Sequence, residues 1–194
     1  MARTPLMDHN LGRSLLLELA DVFDEMDLPF FLMQGTVLGA YRDGGFTPTE
    51  RDIDLGFRQE DFTPLAKQIV YVLTRMDYQV VEFSAPFTKT RTIKAKKHGI
   101  NCDLVSWMFW KGWRFAHNTA RTIQYCIVHD AEMLEQTEPI ELFGRTFGVP
   151  SPVEEYLELE YGPDWRTPAD DNVSRTRVPN FIQREGVPLD LLDA

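Results

Sequence analysis

Cysteine is scarce in this 194-residue sequence: Cys102 and Cys126 are the two, and both stand in apolar, strand-like runs. So placed, they read as reduced, buried thiols, and no disulfide framework is implied. Three of the four histidines, His9, His117 and His129, show no metal-ligand spacing, and His98 falls in a Lys97-His98-Gly99 turn. No apolar run reaches the roughly 18 residues of a membrane span, and the Leu15–Leu17 cluster is interrupted by Glu18 and Asp21. The amino terminus lacks the apolar region and cleavage site of a signal peptide, so a cytoplasmic protein is expected. Basic charge is also in short supply. Twenty Lys and Arg stand against 30 Asp and Glu, for a net charge of −10 and a pI near 4.8. That balance argues against general nucleic-acid binding and against anionic membranes, both of which favour a basic surface. Internal repeats and low-complexity segments are lacking as well.

With 43% hydrophobic and 26% charged residues, the chain has the composition of an ordinary globular protein. At this length a core buries roughly 70% of the unfolded surface, enough to fold without metal or disulfide. The expected organisation is a single domain over residues 1–168, with a polar tail, 169–194, packing on it or extending from it. Charge is uneven along the chain. Residues 86–121 hold Lys89, Arg91, Lys94, Lys96, Lys97, Lys111, Arg114 and Arg121 against the single acid Asp103, a local +7 that leaves −17 elsewhere.

Apolar periodicity predicts a helix from the possible caps Asp8 and Asn10 to about Met26, with Leu11, Leu15, Leu19, Val22, Phe23 and Met26 on one face. A buried strand, Phe30–Met33, should lead into a short helix at Gly35-Thr36, with a turn at Asp43-Gly44-Gly45. Asp52–Phe57 reads as a second strand, and a helix with Pro64 at its first position should follow. Tyr78–Phe83, Thr88–Lys96, Ile100–Trp110, Trp113–Ala116 and Ile123–Val128 read as further strands, then a hairpin around Phe143-Gly144-Arg145. A last helix should begin with Ser151 as cap and Pro152 at the first position, and end at Gly162-Pro163. The pattern is α+β, a mixed sheet with helices on its faces.

The most informative feature is Asp52-Ile53-Asp54. Residues two apart on a strand point to the same side, so the two carboxylates converge. A divalent cation between them resolves their repulsion, and hard oxygen ligands suit Mg²⁺ or Mn²⁺ better than zinc. A solvated strand end is the plainer account of an isolated Asp-x-Asp, but three neighbours favour the site. Gly35-Thr36 at a strand-to-helix junction offers backbone N–H groups and a hydroxyl for a phosphate. Asp103 lies in a strand whose alternation aligns Asn101, Asp103 and Val105, and so supplies a third carboxylate. Lys94 and Lys96 share one face of the basic strand, positioned either for phosphate oxygens or as the solvated lysines that protect sheet edges. Carboxylates for metal beside lysines for phosphate is the logic of phosphoryl transfer. Trp107, Phe109, Trp110 and Trp113 fit a core or a stacking surface.

The run Gly35-Thr36-Val37-Leu38-Gly39-Ala40-Tyr41-Arg42, then Gly45-Phe46-Thr47-Pro48 and Asp52-Ile53-Asp54-Leu55-Gly56, resembles the signature of the LicD/fukutin family in the nucleotidyltransferase-fold superfamily. Tyr156-Leu157 to Tyr161-Gly162, Asp164-Trp165 and Thr167-Pro168 are similar to a second stretch of that family, in the expected order. The resemblance implies a nucleotidyltransferase-like fold with metal-binding, catalytic aspartates at Asp52, Asp54 and Asp103. It places Arg42 in the motif, where it can grip a donor phosphate. It also implies an enzyme that transfers a phospho-alcohol, such as phosphocholine or ribitol phosphate, from a CDP-linked donor to a sugar or other hydroxyl acceptor, releasing CMP. The acceptor would be activated by Asp103 and metal. The sequence departs from the family at Thr49-Glu50-Arg51, where Trp and further aspartates are usual; Glu50 can serve as an outer carboxylate. Two other functions fit the same residues: nucleotidyl transfer from an NTP donor, and a non-catalytic nucleotide-binding module. Three retained, converging carboxylates weigh against the last.

Overall fold

The computed structural model describes residues 5–84, 91–118, 124–168 and 181–184. Lys89, Arg121, Arg175, Arg177 and most of the turn at Ser84-Ala85-Pro86 lie outside those residues, as do the side chains of Cys126, Trp110 and His117.

Helix α1, His9–Glu25, starts where Asp8 accepts hydrogen bonds from the backbone N–H groups of Asn10 and Leu11. Its buried stripe is Leu15, Leu16, Leu19, Val22 and Phe23, whereas Leu11, expected on that stripe, is exposed. After β1, Phe31–Leu32, comes α2, Gln34–Leu38, which continues into one wide π-helical turn, Gly39–Asp43. Gly44, at φ +67°, ends that turn. Strand β2, Asp52–Arg58, leads without a break into α3, Gln59–Arg75. The expected start of α3 at Pro64 is therefore late. Acids Glu60 and Asp61 occupy the first turn, and Pro64 lies inside the helix.

Strands β3, Gln79–Ser84, and β4, Arg91–Lys97, precede the long β5, Ile100–Trp110, which turns at Lys111-Gly112 into β6, Trp113–Asn118. Then follow β7, Gln124–Asp130, the short α4, Ala131–Glu135, and the hairpin β8, Thr137–Leu142, with β9, Arg145–Pro150. Helix α5, Val153–Tyr161, is capped by Pro152 after a cis Ser151-Pro152 bond, not by the Ser151 side chain as expected. A four-residue strand, β10, Phe181–Arg184, lies in the tail, where no element was expected. Four residues are too few to show an apolar period; pairing with β7 defines the strand.

One mixed eight-stranded sheet organises these elements. Strand β5 is parallel to β2, antiparallel to β4 and, through its far end, antiparallel to β6. Among the described residues β3 pairs with β4 only, so β4 is an interior strand and β3 an edge of the described sheet. This corrects the edge-protection account of Lys94 and Lys96, which lie one strand in from the edge. On the inner face Ile53, Leu55, Phe57, Ile93, Cys102 and Leu104 are fully buried against α1 and α3. Phe57 is the hinge of that packing, with ring centroids 5.1 Å from Phe23 and 4.7 Å from Phe62. The opposite face is covered at Gly56 and Trp107 by Phe31 and Met33 and is more exposed around Asp52, Asp103, Lys94 and Lys96, where it carries the chemistry.

Candidate active site

The parallel register pairs Asp52 with Asn101 and Asp54 with Asp103; the antiparallel register pairs Lys94 with Asp103 and Lys96 with Asn101. Directly opposed residues share a face, so three strands bring the carboxylates and both lysines to one side of the sheet. One oxygen from each of Asp52, Asp54 and Asp103 lies within 4.8 Å of the other two. Lys94 Nζ donates to Asp103 Oδ2 at 2.7 Å. Asp103 Oδ1 is buried and has no hydrogen-bond partner among the described residues. A buried carboxylate oxygen left over in a cluster of three acids is what a hard divalent cation would satisfy, so the residues fit Mg²⁺ or Mn²⁺. Their negative charge reaches Cys102 on the inner face. Burial first, then the charges of Asp103, Asp52 and Asp54, push its thiol well above the ordinary range. The thiol therefore stays protonated, in line with the inert role expected of it.

Beneath the carboxylates the first motif acts as a brace. Thr36 is fully buried, and its hydroxyl accepts the Asp54 N–H at 2.9 Å, while Met33 N–H donates to Asp54 C=O at 3.1 Å. Thr36 thus holds the strand that presents Asp54, and its hydroxyl faces protein where a phosphate contact was expected. Gly35 serves close approach: a Cβ there would come within 2.6 and 2.7 Å of the two Glu50 carboxylate oxygens. Buried Glu50, not an external anion, lies against the Gly35 turn. Arg42 is drawn in the same way into the protein. Its Nε and Nη2 bind Asp43, at 2.9 and 2.8 Å, and Nη1 donates to Trp165 C=O at 3.2 Å.

Sequence reasoning missed how the second motif reaches the first. Gln34, at φ +46°, opens α2, and its buried N–H donates to the Tyr156 hydroxyl of α5 at 2.9 Å. Tyr156 is fully buried, with its ring 5.0 Å from that of His129. His129 Nε2 lies 2.8 Å from Glu160 Oε1, and both side chains are buried. Tyr156, His129 and Glu160 come from β7 and α5, and no local pattern announces their meeting. Among the aromatics, Trp107 is core, with its indole N–H 2.9 Å from Met33 Sδ, whereas Phe109 and Trp113 are exposed.

A mixed sheet presenting two carboxylates from one strand and a third from its parallel neighbour, behind a short strand-turn-helix, is the arrangement of a nucleotidyltransferase fold. The solution structure of the antibiotic-resistance factor ANT(2'')-Ia shares this fold: TM-score 0.53 and 17% identity, over 87% of this chain and 80% of that one. The family described as "LicD/FKTN/FKRP, nucleotidyltransferase domain" matches residues 27–151, and the chain belongs to it. A curated relative, "Ribitol-5-phosphate transferase FKTN" of Mus musculus, is 26% identical over 184 residues; these cover 91% of this chain and 37% of that protein.

Proposed function

We propose that this transferase moves a phospho-alcohol, of the ribitol-phosphate or phosphocholine type, from a CDP-linked donor to a hydroxyl acceptor with release of CMP. The observation that carries the reading is the convergence of Asp52, Asp54 and Asp103 within 4.8 Å, with the partnerless Oδ1 of Asp103 among them. Membership of the LicD/FKTN/FKRP family and the name of the Mus musculus relative support the choice of group transferred.

Asp52, Asp54 and Asp103 would hold Mg²⁺ or Mn²⁺, which would supply positive charge to the donor phosphates. The acceptor hydroxyl gives its proton to a carboxylate oxygen of the trio that neither Lys94 nor the cation would hold, and its oxygen attacks the alcohol-bearing phosphorus. The bond from that phosphorus to the oxygen of the CMP phosphate breaks, and CMP leaves with the electron pair. Lys94 fixes the orientation of Asp103 and, with Lys96 on the same face, places cationic charge beside the phosphates. Thr36 and Tyr156 hold the Asp54 strand and the Gln34 turn still while charge moves.

Incubating the protein with Mg²⁺, an alditol or sugar acceptor, and CDP-ribitol, CDP-choline or each NTP tests the reading. CMP formed from a CDP-alcohol is the expected result. Pyrophosphate formed from an NTP, with CDP-alcohols left intact, would replace it with nucleotidyl transfer.

A further inference from the structure

The carboxylate face continues past the lysines to a third zone. On edge strand β3, Val81 is opposite Lys94 and Phe83 is opposite Thr92, and Lys94 is in turn opposite Asp103. Val81 and Phe83 therefore share the face of the carboxylates. They are 52% and 40% exposed, whereas Ile93 and Ala95, on the inner face of neighbouring β4, are buried. With strands about 4.8 Å apart, the β3 side chains stand about 10 Å from the Asp103 column, with the lysine column midway. Across the sheet the surface thus runs from carboxylates to ammonium groups to an uncharged aliphatic and aromatic floor.

We propose that Val81 and Phe83 form the subsite for the nucleobase of the donor, with Phe83 stacking on the ring. The inference rests on the proposed nucleotide donor and adds to it the residues that would hold its base. The sequence of chemistries across the face matches that of a nucleotide. Phosphates belong with the cation-binding carboxylates and Lys94 and Lys96. The ribose spans the gap between the lysine column and β3, and the flat, weakly polar base meets Phe83; Phe109, which is also exposed and has the parity of Asp103, lies six residues farther along β5. An aromatic ring accepts any base face, so stacking here supplies affinity, and hydrogen bonding from elsewhere must supply base choice.

Calorimetry with Mn²⁺ present, using CMP, AMP and ribose 5-phosphate as probes, tests the subsite. Ribose 5-phosphate carries the same sugar and phosphate without a base. Phe83→Ala should weaken CMP and AMP by about tenfold and leave ribose 5-phosphate and Mn²⁺ binding unchanged; Phe83→Trp should restore nucleotide binding. If Phe83→Ala binds CMP and AMP as tightly as wild type, or loses all three probes equally, the base subsite is wrong while the donor reading stands. If the wild type binds neither CMP nor AMP, the donor reading fails and this subsite falls with it.

Discussion

Lys94 shows how much one side chain depends on its register. Its ammonium bonds Asp103 Oδ2 at 2.7 Å while its side chain remains 42% exposed, so it can hold the carboxylate and still meet a ligand. Lys94→Ala should weaken binding of a CDP-alcohol by about 1–3 kcal/mol, the scale of a charge-assisted hydrogen bond. The loss should shrink when the titration is repeated at high salt, because screening reduces what an exposed charge contributes. Equal affinity for wild type and variant at both salt concentrations would leave Lys94 with no part in donor binding. Lys96, exposed and opposite Asn101, is the natural companion variant.

Among elements, the telling contact joins α5 to α2. Tyr156 accepts the N–H of Gln34, a non-glycine residue in left-handed backbone, and two residues on Thr36 accepts the N–H of Asp54. Burial above all, and the charge of Glu160 after it, holds the Tyr156 phenol well above its ordinary pKa, so it stays neutral and able to accept. Tyr156→Phe removes the acceptor and leaves a buried donor unsatisfied, which should destabilise the fold by about 1–3 kcal/mol. If the brace also positions Asp54, Mn²⁺ affinity should drop by about tenfold or more in protein that is still folded at the assay temperature. A lower melting temperature with unchanged Mn²⁺ affinity would confine Tyr156 to stability.

For the whole molecule, the carboxylate trio sets an electrostatic tension that a cation relieves. Divalent ion at about 100 times its Kd should stabilise the folded protein by about 2.7 kcal/mol, a rise in melting temperature of about 5–10 °C for a chain this long. Asp54→Asn should abolish most of that rise. In chelator the same variant should melt no lower than wild type, because it removes one of three mutually repelling charges. A wild-type melting curve indifferent to Mg²⁺ and Mn²⁺ would argue against a metal centre.

Much of the site was legible in the chain because its signals are local. A strand of period two puts Asp52 and Asp54 on one side whatever surrounds it, and a Gly-Thr turn after an apolar run marks the strand-to-helix brace. The aspartate cap of α1, the apolar stripe of α3 and the glycine turns between strands follow from equally short patterns. Pairing partners are another matter, since register joins residues far apart in sequence. Only the sheet decides that Asp103 faces Asp54, that β4 is interior and β3 the edge, and that Val81 and Phe83 extend the carboxylate face. Burial is equally non-local. Thr36 and Arg42 have the chemistry of phosphate ligands and Glu50 that of an outer carboxylate, yet Asp54, Trp165 and the Gly35 turn already engage them, through contacts that exist only once β2 and the segment after α5 have packed around α2.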